Sequence, residues 1–568
     1  MFNKISEDTW VKLIFAALVL ALIAGLGLRF PWPADEPRFA QIAREMLMSG
    51  QWLFPTRAGE FYPDKPPVFM WLISVSYLIT QHFKIAFLLP SALAGLGVAY
   101  LVYDITKRLY DRKTAITALL ILIICPQFLL QAKAAQIDMV LCFFTTIGCY
   151  GLIRHYILGP NNKWLYLAFI AMAIGVMTKG VGFLPMLMLI PLALWFKNTP
   201  TRKSWKWQNW LGVVLFFVTL ACWLGPMLYQ VNVLQTPELI AYKNNILFKQ
   251  TAERYANAWH HQEPWHYFIV KVIPMMWFPA LAVIVFAWKE CVALFKSQPI
   301  FRVLVTWVLF VLLFFSISTG KRGVYIFPAL PMFSIVAAVV WHKIERENIR
   351  HWIRRVLFGF AGLVTFLLFA IAFVIVFKPQ LLEKKHGDYL SLLNELVPFI
   401  AIMAALLVLL LVKLRKSDAF QALAGITLVV WLAVGFVVWP TADSYRTPDV
   451  IMEKAQTIMP NDGELGLVRF KEQFLMFATK PITHFSYLAN EKTQFQRAWQ
   501  WVFAKPNRFI LVSDEEPWFC FNKNNAIELG QAHRRTWYLL SHDQIESTCD
   551  TPDTMKTYQF VPNSEVVF

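Results

Sequence analysis

Basic and acidic side chains recur at the ends of apolar segments in this chain, where charge is costly to place. They are Lys65, Lys179, Arg254, Lys321 and Arg322, set against Asp35, Glu36 and Asp138. Ionisable groups at membrane depth or at its boundary usually mark a site. Lys and Arg so placed can hold an anionic, phosphate-type leaving group. A nearby carboxylate can orient or deprotonate an acceptor. The pattern points to chemistry on a phosphate-bearing lipid.

Each stretch is ordinary by itself. Asp35-Glu36-Pro37-Arg38-Phe39 opens a segment with Phe39, Ile42, Ala43, Met46 and Leu47 on one helical face, closed by Gly50. That spacing predicts an amphipathic helix in the interface, whose acids could simply complement the helix dipole. Tyr62-Pro63-Asp64-Lys65-Pro66-Pro67 fixes a lysine at a membrane surface, where a snorkelling anchor is the plain alternative. Gln131 to Asp138, Thr178-Lys179-Gly180, the 231–265 loop with Glu253-Arg254-Tyr255, and Gly320-Lys321-Arg322-Gly323-Val324-Tyr325 supply the rest. Asp64 with His260 and His261 is a candidate divalent-metal set, although adjacent histidines lack the one-face spacing of a strong zinc motif. No phosphate-binding loop, dinucleotide fingerprint or H-E-x-x-H motif is present, so a transferred sugar should arrive on a lipid.

The elements that must position these groups are membrane spans. The chain has 568 residues, 57% hydrophobic and 16% charged, with mean hydropathy +0.49, which excludes an ordinary soluble domain. Apolar stretches at 11–29, 85–106, 115–131, 138–153, 164–178, 181–196, 210–230, 266–288, 303–319, 324–342, 356–377, 397–412 and 419–438 predict thirteen crossings. Val68 to Thr80 is too short and follows Pro66 and Pro67, so it is expected to be re-entrant or to lie on the surface. With that count the basic clusters at 107–113, 197–206, 343–355 and 413–416 all fall in the cytoplasm. The first loop, residues 30–84, and the 231–265 loop fall outside, in the periplasm. The first apolar run lacks a small-residue cleavage pattern and is expected to remain as a span.

Of the net charge of +17, residues 1–439 hold 40 basic and 20 acidic groups, and residues 440–568 hold 13 and 16. The basic surplus therefore belongs to membrane loops and the site, not to nucleic-acid binding. The tail alternates helix-like stretches (Asp449 to Met459, Glu491 to Ala504) with strand-like ones (Leu465 to Phe470, Phe509 to Ser513, Trp537 to Leu540, Tyr558 to Val561), so 440–568 is expected to be an external α/β domain. Cys520 and Cys549 lie together in it, where a disulfide is permitted but not fixed by sequence.

At these residues the chain resembles the polyprenyl-phosphate-dependent glycosyltransferases of the GT-C superfamily. It looks most similar to the bacterial lipid A aminoarabinose transferases and their protein O-mannosyltransferase-like relatives. The shared stretches are Asp35 to Met46, Tyr62 to Pro67, Gln136 to Asp138, Lys179-Gly180 and Lys321 to Pro331. The resemblance implies a GT-C fold of thirteen crossings in the bacterial inner membrane. It also implies that Lys65, Arg254 and Tyr325 grip the donor phosphate, that Asp35 sits at the reaction centre with Glu36 beside it, and that Asp138 supports it. Arg38, Tyr62, Lys179, Lys321 and Arg322 are the expected supporting residues. Two departures from the aminoarabinose pattern stand out: Arg322-Gly323-Val324 where Leu-Pro-Thr is usual, and Phe39 for a frequent tyrosine.

The expected function is transfer of one amino sugar, aminoarabinose or another, from undecaprenyl phosphate to a lipid A phosphate with inversion, by a monomer. No cofactor is required beyond a candidate divalent metal. A protein or glycan hydroxyl acceptor is the rival enzyme reading. A lipid transporter or flippase is the rival class, disfavoured because the two halves show no inverted repeat.

Overall fold

Among the described residues, eight helices are long and apolar enough to cross a membrane, or up to ten if two bent pairs each count as one span. The computed structural model describes residues 6–196, 207–253, 262–380, 390–515, 517–550, 555–562 and 566. Eight of the thirteen expected crossings correspond to these long helices. The other five are short or broken, and proline accounts for most of the breaks. The 115–131 stretch divides into Arg112–Ile124 and Pro126–Ala132, bent by 70°. Phe268–Met276 and Ala280–Phe286 meet at 115° around Pro279. The 181–196 stretch becomes a 3₁₀ turn, Leu184–Met188, followed by Leu189–Trp195. The first helix, α1, is Glu7–Ile23, and Asn162–Lys179 is the remaining case.

The breaks deliver polar residues to the helix ends. After Pro126–Ala132 the chain turns and re-enters as Ile137–Tyr156, with Asp138 in its first turn. Asn162–Lys179 ends at Gly180, φ 63°, and the returning chain packs Gly182 directly onto the Gly175 backbone. A Cβ at Gly182 would collide with that backbone, so the tight return that places Lys179 at its tip requires glycine. Helix Pro299–Ile317 ends before a turn carrying Lys321 and Arg322, and Arg322 caps the 3₁₀ segment Gly323–Ala329.

The first loop builds α2 (Glu36–Ser49), a hairpin of β1 (Thr56–Arg57) and β2 (Glu60–Phe61), and α3 (Val68–Thr80). Gly50 at φ 69° ends α2 as expected. The amphipathic spacing predicted an interface helix, but Glu36 through Met46 is almost wholly buried. The tail covers its polar face: Arg44 donates from Nε to the Val566 carbonyl at 2.9 Å and from Nη1 to the Leu475 carbonyl at 3.3 Å.

Beyond residue 449 the tail forms a six-stranded sheet in the order β6-β7-β5-β3-β4-β8, from β3 (Glu464–Leu467), β4 (Ile482–His484), β5 (Arg508–Ser513), β6 (Ile527–Ala532), β7 (Arg535–Leu540) and β8 (Tyr558–Phe560). β3 runs parallel to β4 and β5, and the outer pairings are antiparallel. Helix Asp449–Ile458 packs Ile451, Met452 and Ala455 against Leu465, Leu467 and Trp537. Helix Glu491–Phe503 packs Phe495, Ala498 and Trp501 against Ile510, Val512 and Leu540. Alternate residues of β3 and β5 thus serve two separate cores.

Cys520 and Cys549 are bonded, with Cα atoms 5.4 Å apart and a sequence separation of 29. Closing a loop of that length restricts the unfolded chain. A Cys520→Ser/Cys549→Ser variant is expected to lose about 3 kcal/mol of tail stability. Denaturant unfolding followed by tail tryptophan fluorescence reads it, and an unmoved midpoint would refute it.

Candidate active site

Asp35 precedes α2 but makes no hydrogen bond to the helix's free N–H groups, so its carboxylate is not spent on capping. It points instead to cations: Arg322 Nη2 lies 3.2 Å from Oδ2 and Arg38 Nη1 3.8 Å from Oδ1. The second carboxylate, Asp138, is ion-paired with Lys179, and Lys179 Nζ sits 4.6 Å above the Tyr325 ring. Arg322 is close enough to Asp138 and Tyr325 to interact with both. Burial is the largest single influence on the Arg322 pKa and lowers it, but Asp35, Asp138 and Tyr325 together raise it by more, so the guanidinium stays charged. Residues from four separated segments therefore form one cluster: Asp35, Arg38, Asp138, Lys179, Arg322 and Tyr325.

The protein holds Arg322 by a buried amide relay. Gln127 Nε2 donates to the Gly323 carbonyl at 2.9 Å, and Trp277 Nε1 donates to Gln127 Oε1 at 2.6 Å. These three residues lie at the broken helices and at the turn, so the breaks serve to hold the cluster.

Glu36 belongs to a different structure. Arg29 approaches it through two nitrogens, Nη1 at 2.5 Å and Nη2 at 2.8 Å, while the Trp32 and Ala135 backbone N–H groups donate to the same carboxylate at 2.8 and 2.9 Å. All of its acceptor capacity is used, and it ties the first loop to the turn before Asp138. Lys321 is likewise engaged away from the cluster. Its ammonium donates to the Glu263 carbonyl at 2.8 Å and to the Ser318 carbonyl at 2.5 Å, holding the 262–265 strand of chain against the turn.

Lys65 is half-buried before α3 and donates to its neighbour Asp64's carbonyl at 2.9 Å. Tyr62 is buried beside Arg38 and Arg57, and burial pushes its phenol above the ordinary range. Arg254, His260 and His261 lie outside the described residues, and so does the candidate metal set that His260 and His261 were expected to form with Asp64. Among the described residues there is no group of three or more His, Cys, Asp or Glu placed to hold a metal ion.

Three contributors were missed in the sequence. Arg29 is sandwiched by aromatic rings, 4.5 Å from Trp439 and 4.8 Å from Trp32. Its signal is a lone arginine ending an apolar run just before Phe30 and Trp32. Lys133 donates from Nζ to the Ala21 and Ala24 carbonyls at the end of α1, at 2.5 and 2.7 Å. Glu472, on the tail, pairs with Arg38 at 3.3 Å and Arg57 at 3.4 Å, and no local pattern announces it.

Fold and site together define a polytopic helical membrane protein with a cluster of paired cations and carboxylates, next to which its C-terminal segment docks on the first loop. The family model for dolichyl-phosphate-mannose-protein mannosyltransferases matches residues 13–234. An undecaprenyl phosphate-alpha-4-amino-4-deoxy-L-arabinose arabinosyl transferase of Shewanella sediminis is 26% identical over 59% of this chain and 60% of its own length, so the match spans less than two thirds of that relative. A Pseudomonas fluorescens protein of the same description is 28% identical over 72% of this chain and 73% of its own. The crystal structure of ArnT from Cupriavidus metallidurans bound to undecaprenyl phosphate superposes with a TM-score of 0.73 at 20% identity, covering 94% of this chain and 98% of that one, which establishes a shared fold. The chain is therefore similar, over part of its length, to transferases that carry these descriptions, and it shares its fold with the ArnT crystal structure.

Proposed function

We propose that this glycosyltransferase moves a single amino sugar from undecaprenyl phosphate to a lipid A phosphate on the periplasmic side of the inner membrane. The carrying observation is the Arg322–Asp35 pair lying against the Lys179–Asp138 pair and Tyr325. The descriptions of the arabinosyl transferase relatives support the donor and the sugar. In this reading the polytopic part, residues 1–439, crosses the membrane thirteen times by counting the short and broken segments as spans, and 440–568 is a periplasmic α/β domain.

The bond from the anomeric carbon to the donor phosphate oxygen breaks as positive charge builds on the sugar. Cations placed at the departing phosphate stabilise that separation more than the bound ground state. Tyr325 with Lys65 and Arg254 receives the phosphate, and Arg322 and Lys179 supply adjacent charge. Asp35 faces the reacting sugar, and attack from the opposite face inverts the anomeric centre. Asp138 keeps Lys179 in place. Lys179→Met takes the direct partner from that buried carboxylate and leaves it to compete for Arg322, and turnover is expected to fall by about tenfold or more. Initial rates with a polyprenyl-phosphate sugar read this, and a wild-type rate would remove Lys179 from the site.

The family-model match supports a second reading, in which the acceptor is a protein or glycan hydroxyl. Incubating purified protein with a polyprenyl-phosphate amino sugar and lipid A, then measuring product mass, tests the first reading. A pentosamine or hexosamine increment on a lipid A phosphate supports it. Unmodified lipid A with sugar on an added hydroxyl acceptor replaces it with the second. Failure to release free polyprenyl phosphate from the donor with any acceptor overturns both.

A further inference from the structure

We propose that Glu472, supplied by the tail, is a positioning residue for Asp35 and acts through Arg38. The proposal rests on the reading of Asp35 as the carboxylate at the reaction centre.

Arg38 stands between two carboxylates. Its Nε is 3.3 Å from Glu472 Oε1, and its Nη1 is 3.8 Å from Asp35 Oδ1, one turn back at the start of the same helix. Glu472 also pairs with Arg57 of β1 at 3.4 Å, and the Arg57 guanidinium lies 3.7 Å above the Tyr487 ring of the tail. Glu472 is nearly enclosed, with its side chain 5% exposed, and Tyr62 fills the space beside Arg38. A buried carboxylate contributed by the tail therefore decides where a cation next to the reaction centre points.

The consequence follows from charge. With the Glu472 carboxylate in place, Arg38 is drawn away from Asp35, which keeps Arg322 as its close partner. With that carboxylate replaced by an amide, Asp35 becomes the nearest anion available to Arg38. Two guanidinium groups then hold Asp35, turning its oxygens from the sugar and tying up Arg322. The tail thereby sets the working state of the cluster, and docking of the tail on the first loop is part of assembling the site. That docking is extensive: the Ala58 carbonyl is bonded to His484 at 2.7 Å, and Glu60 accepts from Ser486 Oγ at 2.7 Å and the Tyr487 N–H at 2.8 Å.

The test uses the full-length protein in detergent or nanodiscs, with Glu472→Gln, Glu472→Asp, Arg38→Gln, Arg57→Gln and the Glu472→Gln/Arg38→Gln double variant. Expected are an approximately tenfold loss of kcat in Glu472→Gln with the donor KM within twofold of wild type, substantial recovery in Glu472→Asp, and a double variant no slower than Arg38→Gln alone. Arg57→Gln should retain most of the turnover. Independent multiplication of the two single losses overturns the proposal, as does a Glu472→Gln loss that Arg57→Gln reproduces. Amide hydrogen exchange supplies a readout that needs no activity: Glu472→Gln should raise exchange in residues 36–41, and Arg57→Gln should raise it at 56–61 only. Unchanged exchange at 36–41 overturns the proposal by itself. Wild-type protein inactive on every lipid-linked sugar would refute the function proposed above, and the exchange result would still decide whether Glu472 governs the start of α2.

Discussion

Asp35→Asn should cut turnover by about a thousandfold if the acceptor is a hydroxyl, and by about tenfold if it is a phosphate. The difference comes from the acceptor's proton. A sugar or protein hydroxyl must lose its proton during attack, and Asp35 is the carboxylate in the cluster without a lysine already bound to it; Asp138 holds Lys179. A lipid A phosphate arrives ionised, so Asp35 then only orients the sugar and keeps Arg322 in place. Stability should change little, because Arg322 is 40% exposed and an exposed pair contributes at most about 1 kcal/mol. Initial rates with each acceptor, together with a melting curve, separate the cases. A fully active Asp35→Asn protein on its native acceptor would strip Asp35 of any role at the centre.

The legible part of this molecule was its charge pattern. Counting basic loops put Asp35, Asp138, Lys179 and Arg322 on one expected membrane face, and the fold gathers them into one cluster although Arg322 and Asp35 are 287 positions apart. What the pattern could not give was direction. Asp35 and Glu36 are adjacent and chemically alike, yet the first turn of α2 sends one to Arg322 and the other to Arg29. Lys321 and Arg322 divide in the same way: the lysine is spent on two carbonyl oxygens and the arginine on a carboxylate. Neighbouring side chains at a helix start point roughly 100° apart, and which of them meets a partner depends on contacts distant in sequence. In the tail, Asp449–Ile458 and Glu491–Phe503 were readable because their apolar faces repeat at helical spacing. β4, three residues long, and β6, with Gly530 at a register shift and half its residues exposed, carry no comparable alternation. Burial of α2 was unreadable because its cover, from Leu475 to Val566, comes from the far end of the chain.

The largest loss of stability should come from Glu36→Ala. Its carboxylate takes two guanidinium contacts and two backbone N–H groups in a place where Arg29 is 2% exposed. Removing it leaves the Arg29 charge buried among the Phe30 and Lys133 carbonyls and its aromatic neighbours, with Asp443 nearby but making no direct pair with it in place of the lost carboxylate. Breaking a buried pair by deleting one partner costs about 3–5 kcal/mol, because the remaining charge has lost its solvent and its counterion together. Arg29→Met/Glu36→Gln should be less destabilised than Glu36→Ala: the buried charge is gone, and the amide oxygen can still accept from Trp32 or Ala135. The expected order of melting temperatures in detergent is wild type, then the double variant, then Glu36→Ala. Activity should follow the same order, since Asp35 is the preceding residue and the Ala135 contact secures the turn leading to Asp138. A Glu36→Ala protein that melts with wild type but transfers no sugar would reverse the assignment and return Glu36 to the reaction itself.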